Sequence, residues 1–238
     1  SVEQIIETTS RYFSHKDIEK YEYSVCFADF QTQGRGRGSN QWLSPYGSGI
    51  CFSVIGSLYS KSSPLGLSIY CGIMISRALR DLGYSGASLK WPNDLLHGGK
   101  KLGGILVELT SQSQDYYSFN IGVGINYDIG SDLNSIGQNL FPPTDLLKIN
   151  HDLSVCRSEM SGILARTVIE SLKKFNQRSI QSAFKLWPEY DALFEKEVKI
   201  IEENDILEGK NIGIDHTGAL LLDQNGVIKK VYNGHLVI

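Results

Sequence analysis

From about Phe194 to the last residue the chain changes character. Short apolar runs, "KEVKII", "KNIGID", "ALLLD" and "VIKKVYN", are separated by turn signals at Asp215–Gly218 and Asp223–Gly226. Runs of that length with that punctuation predict a small β-barrel of roughly 45 residues. The preceding residues mix strand and helix patterns. A boundary within 190–195 therefore divides the chain into a mixed α/β body, residues 1–191, and an all-β appendix, residues 192–238. The fold class is α+β.

Within the body, "YSVCFADF" (23–30), "GICFSVIG" (49–56), "SLKW" (88–91), "LGGILVELT" (102–110) and "YSFNIGVGINY" (117–127) read as strands, and "HGGKK" (97–101) as a hairpin turn. Residues 9–19 read as a short helix. "SSPLGLSIYCGIMISRALRDLG" is a helix with Ser63 as cap, Pro64 in the first turn and Gly83 at the end. Its Leu67, Tyr70, Cys71, Met74, Ala78 and Leu82 recur at helical spacing and predict the core face. Residues 128–150 read as irregular. A long amphipathic helix spans 154–175 with Ser154 as cap, and a second helix ends near Trp187-Pro188.

Charge narrows the function. The 238 residues carry a net charge of −3, with 41% hydrophobic and 21% charged content. That is an ordinary globular composition with apolar material for a sizeable core. It lacks the basic footprint of a duplex-binding domain. Cys26, Cys51, Cys71 and Cys156 form no C-x-x-C pair and sit in apolar surroundings. They read as buried free thiols, which fits a reducing compartment. The sequence has no run of about 18 apolar residues that would span a membrane, and "SVEQIIETTS" is not a signal peptide. There is no initiator methionine, which leaves processing or truncation open.

Against that mildly acidic background, "QTQGRGRGSNQW" (31–42) reads as a flexible loop carrying Arg35 and Arg37. Guanidinium forks match phosphate and carboxylate oxygens, so a small anion would order it. "KWPNDLLHGGKKLGGILVELT" (90–110) adds Lys90, Asn93, Asp94, Lys100 and Lys101. Asp94 could orient a lysine, bind a metal or form a turn. Only one of Lys100 and Lys101 can face inward on a strand. Gly103-Gly104 inside a strand points to close backbone approach, a bulge or a packed helix. "GVGIN" (122–126) repeats the glycine signal and ends on Asn126, a hydrogen-bonder or a turn former. "ETTS" (7–10) reads first as a helix cap.

Taken in order, these motifs resemble the biotin protein ligases (biotin–[acetyl-CoA-carboxylase] ligases). "QTQGRGRGSNQW" is similar to that family's Gln-x-x-Gly-Arg-Gly-Arg loop closed by Trp. "KWPND", "KKLGGILVE" and "GVGIN" stand as its other motifs do, and "WPEYDALFEKEVKI" resembles its link into an SH3-like barrel. The resemblance runs from about Glu7 to the end. It implies a catalytic sheet like that of class II aminoacyl-tRNA synthetases and biotin synthetases. The implied reaction has two steps: biotin and ATP give biotinyl-AMP, and a carrier-protein lysine then takes the biotin.

By motif position, Thr8, Thr9 and Ser10 would meet biotin, with Gln31 near its ureido head. Arg35, Gly36 and Arg37 would line the activated carboxyl and phosphate, and Lys101 would meet the carboxylate. Gly103 and Gly104 would let the strand pass against biotin. Lys90, Asn93, Asp94 and Asn126 would serve the nucleotide. Lys90, Lys101 and Arg37 would carry catalysis, helped by Mg²⁺ as activating ion, with no resident metal site. The glycines of the Arg loop would let it open and close over the anhydride.

Several positions depart from the family pattern. "GSNQ" after Arg37 is less basic than in many relatives, Ser10 replaces an Asn, and "GQNLFPPTD" (137–145) has no tryptophan for adenine. The resemblance implies a biotin carboxyl carrier protein of acetyl-CoA carboxylase as partner, a monomer or weak ligand-dependent homodimer, and a cytoplasmic location. Only about six residues precede the first motif, so no DNA-binding domain is expected. The alternatives are a lipoate or octanoate ligase on the same fold, a non-catalytic biotin sensor, or a nucleic-acid module with an RG loop. The three cations argue against the sensor, and the barrel and "KWPND" argue against the lipoate enzymes.

Overall fold

Alternation along three long strands sets the architecture. The chain runs β1 (Tyr23–Ala28), β2 (Gln31–Arg35), β3 (Gln41–Ser44), β4 (Gly49–Tyr59), α1 (Pro64–Asp81), β5 (Ala87–Lys90), β6 (Asp94–His97), β7 (Lys100–Gln112) and β8 (Tyr116–Asn126). The helices α2 (Leu146–Ile149), α3 (Arg157–Lys173), α4 (Gln177–Phe184) and α5 (Trp187–Tyr190) follow. The chain ends with β9 (Glu197–Glu202), β10 (Asp205–Ile214), β11 (Leu220–Gln224), β12 (Val227–Val231) and β13 (His235–Val237). This computed structural model describes residues 23–59, 64–112, 116–130, 141–151, 155–202 and 205–237. The expected helix at 9–19 and the residues Thr8, Thr9, Ser10, Ser63 and Ser154 lie outside them.

A six-stranded antiparallel sheet, ordered β1-β4-β8-β7-β6-β5, forms the body. Because successive side chains take opposite faces, Ile105, Ile121, Val123 and Ile125 share one face and are buried. α1 lies against β5 and β7, and α3 against β4. A Cβ on Gly72 would stand 3.1 Å from the Leu89 side chain, so α1 comes close to β5. α1 is buried on more than the expected face: Ile69, Ile73, Ile75 and Leu79 are as enclosed as Leu67 and Cys71, while Met74, Ala78 and Leu82 are only partly buried. The sheet, α3 and α4 surround it, so a single-stripe reading undercounts its core.

Other boundaries shift for identifiable reasons. α3 begins at Arg157 with Cys156 as N-cap and no side-chain cap bond. Residues 146–149 form α2, capped by the Asp145 carboxylate accepting from the Lys148 amide. Pro188 opens α5 instead of ending a helix, since proline fits a first turn. All four cysteines are free, but only Cys51 and Cys71 are buried; Cys26 is half-buried and Cys156 exposed. At the "HGGKK" hairpin both Gly98 (φ 56°) and Gly99 (φ 73°) take the left-handed conformation that a type I′ turn needs.

The terminal strands form a five-stranded antiparallel sheet, ordered β12-β11-β10-β9-β13. Its edge strands are consecutive in sequence, joined by Tyr232–Gly234. Four inter-strand spacings would put flat edges about 19 Å apart, whereas four residue steps reach at most about 14 Å. The sheet therefore curls, and its edges come together as an incomplete barrel. The barrel is tied to the body through buried Asp191. That carboxylate accepts from Trp187 Nε1 (2.9 Å), Asn211 Nδ2 (2.8 Å) and the Leu193 amide (3.0 Å), while the Ala192 amide donates to Leu89 of β5. Burial pushes the Asp191 carboxyl above its ordinary range, against the pull of these bonds.

Candidate active site

The open face of the large sheet carries few side chains. Gly104 pairs with Gly124 and Leu106 with Gly122, so backbone floors a cavity of about 580 Å³. A volume of that size fits a small ligand. The β2–β3 ribbon roofs it. The stretch expected as a loop thus forms a hairpin, and Gly34 and Gly38 have steric reasons. A Cβ on Gly34 would strike the Trp42 carbonyl at 2.2 Å, and Gly38 has φ 65°. The Trp42 ring in turn presses on Gly124, where a Cβ would lie 2.6 Å from Cε2.

One end of the cavity is cationic. Lys90 and Asp94 face each other across the β5–β6 hairpin, with Lys90 Nζ 2.8 Å from Asp94 Oδ2 and Lys101 Nζ 2.7 Å from Oδ1. Burial alone would raise the Asp94 carboxyl, but the Lys101 and Lys90 ammoniums hold it below the usual range. A bulge in the β6–β7 pairing makes this possible. Leu95 pairs with Gly103 and Leu96 with Lys101, leaving Leu102 as the extra residue. The bulge resets the alternation, so Lys101 and Gly104 both face the cavity. Lys100 is exposed.

Arg37 comes to this end from the roof. It donates to the Gly234 carbonyl (2.9 Å) and the Asn233 side-chain oxygen, and its guanidinium lies 6.0 Å from the Trp91 ring centroid. Burial lowers its pKa, opposed by the charge of Asp94. Lys90 Nζ reaches toward the Leu236 carbonyl (3.4 Å) and the Phe141 ring (4.7 Å to its centroid). Trp91 is fully buried and donates from Nε1 to the Gly218 carbonyl. Gly234–Val237 of the barrel thus forms part of the cavity wall.

The opposite end holds Arg35. Its guanidinium makes a two-oxygen contact with Glu108 (2.7 and 2.9 Å), and Asn120 Nδ2 donates to Glu108 Oε2 (3.4 Å). Glu108 is four residues along β7 from Gly104, about 13 Å. Arg35, expected beside the phosphate, therefore points to the far end in this conformation.

Other expected residues divide. Gln31, Gly36, Arg37, Lys90, Asn93, Asp94, Lys101 and Gly104 line the cavity. The Asn93 amide is used on the β7 backbone, with Nδ2 donating to Ile105 O (3.1 Å). Gly103 is turned to the other face, where a Cβ would meet the Gly124 carbonyl at 2.5 Å. Asn126 is 8% exposed, and its Nδ2 donates to the Thr144 carbonyl (2.9 Å), so it fixes the 141–145 segment and is not part of the cavity wall. Sequence reading missed Glu108, Asn120, Phe141 and the barrel residues as wall components. Glu108 and Asn120 share parity with Gly104 and Gly122, a signal present in the strands themselves.

A glycine-floored cavity with lysines gathered on one carboxylate, closed by an Arg-bearing ribbon and a small β-barrel, defines an enzyme that handles anionic groups. Comparison with known proteins agrees. Residues 2–126 match the biotin/lipoate A/B protein ligase family, and residues 193–235 match the biotin protein ligase C-terminal domain. The chain is 33% identical over 233 residues to the bifunctional ligase/repressor BirA of Escherichia coli, covering 98% of this chain and 71% of that protein. It is 29% identical over 223 residues to its Bacillus subtilis counterpart, covering 90% and 66%. The biotin protein ligase of Aquifex aeolicus, solved with biotin and ATP, superposes with a TM-score of 0.74 at 28% identity, covering 94% of each chain. The chain belongs to the biotin protein ligase family and is a ligase.

Proposed function

We propose that this ligase activates biotin with ATP and transfers it to one lysine of a biotin carboxyl carrier protein, the acetyl-CoA carboxylase subunit. In the first step a biotin carboxylate oxygen attacks the α-phosphorus, the bond to the bridging oxygen breaks, and pyrophosphate leaves. In the second, the carrier's deprotonated ε-amine attacks the anhydride carbonyl, an amide forms, and AMP leaves.

The observation that carries this reading is the placement of Lys90, Lys101 and Arg37 around Asp94 at one end of a glycine-floored cavity. Attack of a carboxylate on a polyphosphate sets anion against anion, and preplaced cations offset that repulsion. Asp94 holds the two ammoniums side by side until a ligand oxygen competes for them. The ribbon and the barrel wall keep water from the anhydride. Mg²⁺ would offset phosphate charge. Among the described residues no three His, Cys, Asp or Glu side chains gather into a metal site. The ion would enter on the nucleotide's phosphates, as Mg²⁺ commonly does, with Asp94 as the carboxylate at that end. The proposal includes a cytoplasmic location and a monomer or weak dimer that tightens with ligand. No described helix is long and apolar enough to cross a membrane.

The test is ATP-dependent transfer of biotin to a purified carrier domain, with lipoate in a parallel reaction and Mg²⁺ omitted in a third. Biotin transfer alone, abolished without Mg²⁺, is the expected result. Lipoate transfer at a comparable rate, or tight biotin binding without transfer, refutes it.

A further inference from the structure

Asn120 sits in the wall of the cavity at the end away from the lysines, and its side chain is left half-used. The residue is 1% exposed. Its Nδ2 donates to Glu108 Oε2 at 3.4 Å, and that carboxylate is itself gripped by the Arg35 guanidinium. A carboxylate accepts and does not donate, so it fixes which end of the carboxamide is nitrogen. Oδ1 therefore points away from Glu108, and it is buried with no hydrogen-bond partner among the described residues.

Buried acceptors in native proteins are nearly always satisfied, so an unsatisfied one in a cavity wall marks a place for a donor. The strand register says where. Asn120 pairs with Glu108, one row beyond Leu106–Gly122 and two beyond Gly104–Gly124 on the same face. A ligand with its carboxylate at Lys101 and its body over Gly124 and Gly122 extends about 13 Å to this row. Glu108 does not compete for Oδ1, because a carboxylate offers no donor, and Arg35 Nη2 is engaged on that carboxylate.

We infer that Asn120 is a specificity-determining residue whose Oδ1 accepts a hydrogen bond from a ring N–H at the end of the acyl substrate remote from its carboxylate. The inference rests on the biotin reading and deepens it: the donor is one ureido N–H of biotin. An acyl chain without an N–H at that end leaves Oδ1 unsatisfied, so Asn120 selects against it.

The experiment measures equilibrium binding to the full chain by calorimetry, using biotin and its two mono-N-methyl ureido isomers as probes. The proteins are wild type, the near-isosteric Asn120→Leu and the smaller Asn120→Ser, each checked by thermal melting. Asn120→Leu should weaken biotin about tenfold, the scale of one hydrogen bond. It should change the affinity of one N-methyl isomer less than twofold, because that isomer has already lost the N–H. If Asn120→Leu fails to fold, Asn120→Ser carries the same comparison. Biotin binding within twofold of wild type, or equal losses for biotin and both isomers, overturns the inference alone. Wild type that binds no biotin overturns the biotin reading itself.

Discussion

The two ends of the cavity are built from similar parts and behave differently. Each holds an arginine from the same ribbon and a carboxylate from the same sheet. At one end Arg37 turns to the barrel, donating to Gly234 and Asn233, while Asp94 is shared by two lysines. Positive charge is in excess there, and an arriving anion finds cations already placed. At the other end Arg35 and Glu108 pair off and cancel, with the Asn120 amide beside them, so that wall is neutral as a whole. Two arginines only two residues apart thus do separate work. Arg35 ends β2 and reaches across to β7, whereas Arg37 lies in the turn, where the chain has left the strand.

The sharpest break of this comparison is to remove each arginine in turn. Arg37→Gly should speed loss of the adenylate from the enzyme by about 10- to 100-fold, the worth of charge-assisted hydrogen bonds. Arg35→Gly should leave that rate within about threefold and instead weaken biotin binding, because Glu108 would then be free to pull Asn120 out of position. Single-turnover release of labelled adenylate, beside biotin calorimetry, separates the two. Equal effects of both substitutions on adenylate release would show that the ends are not distinct.

A smaller effect comes from the adjacent glycines of β7. Gly103→Ala puts its Cβ against the Gly124 carbonyl at 2.5 Å, a backbone atom that cannot swing away. It should cost about 1–3 kcal/mol of stability. Gly104→Ala has nothing nearer than 3.7 Å. Its melting point should stay near wild type, while the KM for biotin rises, since the methyl enters the cavity. A denaturation series and a biotin titration on both variants decide the matter; a stable Gly103→Ala or a wild-type KM for Gly104→Ala contradicts the assignment of faces.

That glycine pair shows what was legible beforehand and what was not. The sequence marks 102–110 as a strand and flags both glycines for close approach, and it marks Gly98-Gly99 as a turn. It leaves a bulge open among the readings of that glycine pair but does not place the extra residue at Leu102, because one extra residue in a ladder has no position of its own in an apolar run. Without the bulge, parity would place Lys101 with Gly103 instead of with Gly104. The cationic end was readable because lysines, arginines and Asp94 stand in compact motifs. The neutral end was not, because Glu108 and Asn120 lie in separate strands and meet only through register. The barrel's part in the wall was hidden for a similar reason: Asn233 closes the run "VIKKVYN" with no motif to mark it, and its partner Arg37 is 196 positions away.

The smallest effect concerns acid. Asp94 has its folded pKa lowered by Lys101 and Lys90 in spite of burial. Its ion pairs contribute fully above the unfolded carboxylate pKa of about 3.9, and the contribution is lost as pH falls through the folded value. In that window the unfolded chain binds more protons, so stability rises with pH. Asp215 adds a component of the same sign: burial would raise it, but bonds from Thr217, Lys230 and Ala219 hold it at about 2. Asp191 has the opposite sign. Its folded pKa is raised by burial, so its contribution is full below the unfolded value and is lost as pH rises through the folded one. Asp94→Asn should therefore flatten the acid limb of a melting-point profile between about pH 5 and 2 without abolishing it, because Asp215 remains. A variant profile that runs parallel to wild type would mean that the lysines do not hold Asp94 in solution, and the contrast between the charged and neutral ends would lose its electrostatic basis.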